Sequence, residues 1–200
     1  MQWEIGGVEI KKDGSHISES SVSEILSPYL ESSWLTIDIS KLQLDLLQEP
    51  WVSSVEVSRV FPDKIRLNIV EKQAVATFGS LGLVSSKGEL FTPDIPVVDD
   101  LPQIISAKQD LPEVFSAFML LREQGSRVDQ IPGDVKFFRY DVINGWQAEF
   151  GDGLFVYFGK GDFKRLLDRF VVIYPRVLSS AKKGSFKKFD MRYAKGVAVA

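Results

Sequence analysis

Two rhythms alternate along the first third of the chain. Val8-Glu9-Ile10 predicts a short strand. Behind Ser21-x-x-Glu24, which has capping-box spacing, Val22, Ile25 and Leu26 form an apolar stripe. That predicts a helix over roughly 19–27, ended by Pro28, whose ring and missing N–H oppose continuation. Ser40-x-x-Gln43 opens a second predicted helix, with Leu42, Leu46 and Leu47 on its apolar side and its end before Pro50. From Ser54 to Arg59 the period drops to two: Val55 and Val57 alternate with Ser54, Glu56 and Ser58, as in a half-buried strand. Phe61-Pro62-Asp63-Lys64 is a type I turn signal. Ile65, Leu67 and Ile69 then alternate with Lys64, Arg66 and Asn68. The predicted order is β-α-α-β-β.

Beyond residue 72 the pattern turns to shorter strands. Ala74–Phe78, Leu81–Ser85 and Glu89–Phe91 are predicted strands, and 92–102, with three prolines and three aspartates, a loop. Val114, Phe118 and Leu121 share one face of a helix capped by Asp110 and running to Gln124, with Gly125 placed to stop it. Strands follow near 135–142, 145–151 and 154–159, the last two joined by Asp152-Gly153, a strong hairpin signal. Asp162 caps a helix carrying Leu166, Leu167, Phe170, Ile173 and Tyr174, bent or ended by Pro175. Two final strands, near 185–192 and 196–200, flank an Ala194-Lys195 turn. The fold class is therefore α+β, with a boundary predicted near residue 72: domains of 1–72 and 73–200. No internal repeat and no low-complexity segment is visible.

Composition narrows the function. The 24 basic and 27 acidic residues leave net −3, so no global positive field exists to hold nucleic acid. With no cysteine and a single histidine, His16, disulfides, thiolate zinc sites, cysteine nucleophiles and multi-histidine metal sites are excluded. Uninterrupted apolar runs reach only five residues, against the roughly 20 a membrane span needs. The start, Met1-Gln2-Trp3-Glu4, is not a signal peptide. The expectation is a soluble chain, any exporting or anchoring segment lying before residue 1.

Candidate chemistry is sparse. His16, in the polar run Asp13-Gly14-Ser15-His16, is expected in a solvated loop. Gly159-Lys160-Gly161-Asp162 lacks the glycine spacing and the hydroxyl residue of a phosphate-binding loop and is expected to be a strand-to-helix turn. Asp94, Asp99 and Asp100 lack the spacing of a calcium loop. Asp45, Glu49, Asp110, Glu113, Asp129 and Asp134 form no acid/base pair. Lys182-Lys183 and Lys187-Lys188 are a small basic patch, a solvated edge or a contact for acidic partners. No cofactor and no catalytic set emerges, so a binding or scaffolding protein is expected rather than an enzyme. The feature that stands out is Lys195-Gly196-Val197-Ala198-Val199-Ala200. A terminal strand can sit at a sheet edge, where unpaired N–H and C=O groups accept a partner strand. The pattern alone leaves that open beside a self-paired strand.

The run Pro50-Trp51-Val52-x-x-Val55-x-Val57-x-Arg59-x-Phe61-Pro62-Asp63-x-Ile65-x-Leu67-x-Ile69-x-Glu71 resembles the end of the POTRA domain in the FtsQ/DivIB family of bacterial division proteins. Ala74-Val75-Ala76-x-Phe78, Leu83-Val84-Ser85-x-x-Gly88-x-x-Phe91 and Leu101-Pro102 are similar to its following strands. Gly159-x-Gly161-Asp162, Lys164-Arg165-Leu166-x-x-Arg169-Phe170, Tyr174-Pro175 and Asp190-Met191-Arg192-Tyr193-x-x-Gly196-Val197-Ala198-Val199 resemble its late helix and closing strands, most like the Gram-negative FtsQ branch. Three departures stand out: Gln103–Ala107 lacks the family's glycine, Lys195 replaces a small or polar residue, and no aromatic residue follows Ala200.

The resemblance implies a non-enzymatic protein at the division septum of the inner membrane. It implies one membrane helix before the present chain, with the POTRA domain and a β domain in the periplasm. It further implies binding of FtsB and FtsL through the closing strand, other division partners through the POTRA domain, and a monomer or weak dimer. Carried onto this chain, the partner-binding residues are Arg192, Tyr193, Lys195, Gly196, Val197, Ala198 and Val199, with Arg169, Phe170 and Tyr174 as secondary candidates. The competing reading is a POTRA-type periplasmic chaperone or docking domain in outer-membrane protein assembly or secretion, which would call for tandem β-α-α-β-β units where this chain has one.

Overall fold

The two period-two runs form a hairpin, as their alternation requires. β2 (Val52–Val60) pairs antiparallel with β3 (Lys64–Glu71), with Val57 opposite Leu67 and Val55 opposite Ile69, so these side chains share one buried face. The computed structural model describes residues 4–93, 100–127, 134–180, 186–193 and 196–200. Its turn at 61–64 carries a cis Phe61–Pro62 peptide, a feature the type I reading did not include. β1 (Gly7–Lys12) adds in parallel to β3, giving the order β1-β3-β2.

α1 (Glu19–Leu30) and α2 (Ile39–Leu46) supply Val22, Leu26, Leu42 and Leu46 to the same core. α1 starts at Glu19 as expected, but its cap is Ser18, whose Oγ accepts from the Ser21 N–H; α2 starts one residue before Ser40, capped by Asp38, whose Oδ1 accepts from the Lys41 N–H. Pro28 lies inside α1, which continues because Tyr29 is buried and donates its hydroxyl to the Asp45 carboxylate. His16 does not sit in a purely solvated loop. Its ring stacks on Trp51 at 3.9 Å, and its Nδ1 lies 3.1 Å from Glu71 Oε2.

The chain divides into two compact units, residues 1–73 with 91–96 and residues 74–90 with 97–200. The larger sheet has the order β12-β11-β10-β9-β8-β7-β4-β5-β6. Its strands are β4 (Ala74–Phe78), β5 (Leu83–Ser85), β6 (Leu90–Phe91), β7 (Gln103–Ile105), β8 (Val135–Asp141), β9 (Gly145–Phe150), β10 (Phe155–Gly159), β11 (Lys188–Asp190) and β12 (Ala198–Val199). β7 was not expected. It runs parallel to both β4 and β8 and buries Ile104 completely. A three-residue central strand is too short to show alternation.

α3 (Leu111–Arg127) and α4 (Phe163–Ser180) bury Val114, Phe118, Leu121, Phe163, Leu167 and Phe170 against the inward residues Phe138, Trp146, Phe150, Val156, Phe158 and Phe189. Gly125 lies inside α3 and Pro175 inside α4, so neither ends its helix. Past Pro175, α4 carries on because Val177 and Leu178 still pack on the core. Asp94, Asp99, Asp129, Lys182, Lys183, Ala194 and Lys195, named above, lie outside the described residues.

Candidate partner-binding surface

The closing segment is built from the core outward. Phe189 on β11 is fully buried and packs edge-on against Phe170 and Tyr174 of α4. This fixes β11 in parallel beside β10, with Tyr157 opposite Asp190. β12 then pairs antiparallel with β11, Val199 opposite Phe189 and Ala198 opposite Asp190. The Ala200 carbonyl accepts from the Lys187 and Lys188 N–H groups, and the Ala200 N–H donates back to the Lys188 carbonyl. β12 ends the sheet: among the described residues no strand lies along its outer side. Ala198 and Val199 are both exposed.

Two charged groups hold this segment. Arg169, half-buried on α4, donates from Nη1 to the Met191 carbonyl at 3.0 Å. Its Nη2 donates to the Tyr193 and Gly196 carbonyls at 2.8 and 2.9 Å. One guanidinium thus ties Met191, Tyr193 and Gly196 to α4. A planar fork with several donors suits this task, which a lysine ammonium would perform less well. Arg192 bonds Asp190 through Nε (2.9 Å to Oδ1) and Nη2 (2.5 Å to Oδ2), and its backbone N–H donates to Oδ1. The hydrogen-bonded Arg192 side chain, and then the backbone bond, hold the Asp190 carboxyl below the usual carboxylate range, against the opposing effect of burial. Arg192 and Lys188 also lie over the Tyr157 ring, at 4.9 and 5.0 Å.

The sequence-predicted residues thus divide by environment. Tyr193, 58% exposed, projects into solvent, and Val197 packs partly on the core. Gly196 needs to be glycine for no reason within the chain, since an added Cβ would meet nothing within 4 Å. Arg192 and Arg169 are spent largely on the chain's own groups. Phe170 and Tyr174 are buried beneath β11 and present no surface. Lys195 lies outside the described residues.

Sequence reasoning missed a cavity of about 460 Å³ beside this segment. Ile143, Phe158, Leu166 and Met191 line it with apolar groups, and Lys160, Arg169 and Arg192 with cations. The β8–β9 turn reaches it in a fixed form. Asp141 Oδ1 accepts from the Ile143 and Asn144 N–H groups, leaving Val142 and Ile143 75% and 80% exposed. Those bonds, the Asn144 backbone first, hold the Asp141 carboxyl low. Gly145, at φ +73°, passes so close to the Gly159 carbonyl that a Cβ would lie 2.2 Å from it. An apolar pair inside a turn signal, Val142-Ile143-Asn144-Gly145, was the available clue.

Among the described residues, no three histidine, cysteine, aspartate or glutamate side chains come together to hold a metal ion. No described helix is long and apolar enough to cross a membrane. The arrangement offers recognition: an open strand edge, an exposed tyrosine and a cavity that is apolar and cationic.

Two family models meet where the chain divides into its two compact units. The family model described as POTRA domain, FtsQ-type, matches residues 4–72. The one described as Cell division protein FtsQ/DivIB, C-terminal, matches 74–192. The second match stops at Arg192, so β12 rests on the geometry above. Cell division protein FtsQ of Hahella chejuensis is 28% identical over 98% of this chain and 69% of its own length. Those of Coxiella burnetii and Xanthomonas campestris are each 23% identical, over 96% and 99% of this chain and 78% and 70% of their own lengths. Both compact regions are matched in sequence order, and the chain belongs to the FtsQ/DivIB family of cell division proteins.

Proposed function

We propose that the chain is a non-enzymatic scaffold of the division septum, binding the periplasmic parts of FtsB and FtsL along the outer edge of β12. In this reading a single membrane helix precedes residue 1 and anchors the protein in the inner membrane, leaving both units in the periplasm. The observation that carries the reading is the position of β12. It is the last strand of a nine-stranded sheet, two residues long and exposed, and its outward backbone groups are available to a partner strand. The backbone hydrogen bonds of an added strand contribute about 1 kcal/mol each. Tyr193 beside that edge supplies apolar area with a polar tip, the composition of an interface anchor.

The test is calorimetric titration with the FtsB–FtsL periplasmic segments of the same organism, on the native chain and on Tyr193→Ala. Saturable binding, weakened by about 2 kcal/mol or more in the variant, supports the proposal. Binding indifferent to Tyr193→Ala and to a proline placed at Ala198 moves the site away from β12. No binding by folded protein extended past residue 200 removes these partners.

A further inference from the structure

We propose that the Trp34–Leu35 loop and the Phe61 turn form an apolar foot that rests on a phospholipid surface. This rests on the reading that a membrane helix precedes residue 1, and it adds which face of the first unit meets the bilayer.

The two segments are fastened side by side. Arg59 donates to the carbonyls of Trp34 (2.9 Å), Leu35 (3.4 Å) and Ile37 (2.7 Å). The Trp34 indole N–H donates to the Lys64 carbonyl at 2.9 Å. Between Arg59 and Lys64 the hairpin turns through Phe61, which is 77% exposed, and Leu35 is 60% exposed. Leaving such side chains in water forgoes roughly 25 cal/mol for each Å² of apolar surface that could be buried. Yet a whole guanidinium is committed to holding the loop that displays Leu35.

The chain enters the unit at this same end. β1 is parallel to β3, Gly7 pairs with Lys64, and the Gly6 N–H donates to the Asp63 carbonyl at 2.9 Å. Gly6 and Gly7 therefore lie beside the Phe61 turn, and a membrane helix joined ahead of them would hold this end toward the bilayer. Glu9 is paired with both Lys64 and Arg66, at 3.1 and 3.0 Å, so the contact relies on insertion of Leu and aromatic groups at the interface. Two exposed side chains, Leu35 and Phe61, would bind a membrane weakly when free. Tethering raises the effective concentration to the millimolar range, which makes a weak contact sufficient.

The sequence contains no cysteine, so single labels are unambiguous. The full-length protein with its own anchor, any cysteine there replaced by serine, is placed in phosphatidylethanolamine–phosphatidylglycerol vesicles. Nitroxide is attached to Leu35→Cys, Phe61→Cys or, as a control on the other unit, Val142→Cys. Collisions with lipid-soluble oxygen are compared with collisions with a water-soluble nickel chelate. The expected result is oxygen exceeding chelate at 35 and 61, with the opposite order at 142 and no change on raising salt. Water-like values at all three sites, in protein that floats with the vesicles, overturn the foot and leave the anchor standing. Protection from both reagents at 35 and 61 means a protein covers the patch and overturns the lipid assignment. Failure to float refutes the anchor, and the inference falls with it.

Discussion

Replacing Arg169 by alanine should loosen the closing segment while leaving the core intact. The side chain makes three hydrogen bonds to carbonyls 22 to 27 residues further along the chain. A hydrogen bond from a charged donor contributes about 1.5–3 kcal/mol when buried. Only the Met191 bond is partly buried; the Tyr193 and Gly196 carbonyls are exposed and regain water when released. Discounting those two to about 0.5 kcal/mol each and the first to about 1 gives a loss of roughly 2 kcal/mol. The loss appears as local opening, because β11 stays pinned by Phe189. The sensitive probes are the Lys187 and Lys188 amides, whose acceptor is the Ala200 carbonyl. Their hydrogen exchange should accelerate roughly 30-fold, by the relation of 1.4 kcal/mol to a factor of ten. Amides of β8, β9 and β10 should keep their protection, and Arg169→Lys should fall between the two. Unchanged exchange at Lys187 and Lys188 in a folded Arg169→Ala protein would refute the tether.

Three other outcomes follow from the same contacts. Because Asp190 is held below its unfolded value of about 3.9, it contributes stability above that pH, lost as pH falls through the folded value; amide shifts of Tyr193 and Gly196 should report loosening below about pH 4, and Asp190→Asn should loosen the segment already at neutral pH and flatten that dependence. Tyr29, buried and hydrogen-bonded to Asp45, is pushed up to about 12, so the first unit should lose stability between about pH 10 and 12; burial also raises Tyr174, so an ultraviolet titration should find more than one late tyrosine, of which Tyr29→Phe removes one. Gly145→Ala should cost about 2 kcal/mol or more in denaturant unfolding, since it combines positive φ with a Cβ against the Gly159 carbonyl.

The parts of the fold legible in the sequence are those whose signal is local. The β2–β3 hairpin follows from strict alternation, and α4 from apolar residues at helical spacing. Signals that a tertiary contact can override were misread. Pro28 and Gly125 have the chemistry of helix ends, but buried Tyr29 keeps α1 going, and α3 runs on to Arg127. β7 escaped notice because its identity as a strand comes from two parallel neighbours distant in sequence. The site divides the same way. Tyr193, Gly196 and Arg169 are all named through the family resemblance, but Arg169 acts on carbonyls that only the fold brings near it. Ile143 becomes part of the surface only because the β8–β9 turn comes beside the cavity near Met191.

Stability falls steeply over the last dozen residues, and the proposed function makes use of that gradient. Phe189 belongs to the core, whereas ten residues later Val199 is 44% exposed and held by a two-residue pairing. Two paired residues at a sheet edge make few ladder bonds, so the Arg169 tether and the Ala200 bonds add to what holds β12. A partner strand would give β12 a second neighbour and stabilise it from the outer side. Docking and ordering of β12 are then one coupled event, and part of the binding free energy goes into fixing the edge. A rigid, long edge would avoid that cost but would also expose a standing template for unwanted strands. In the proposed function a short edge tethered by one arginine limits that exposure, and a partner strand beside Tyr193 would complete the pairing.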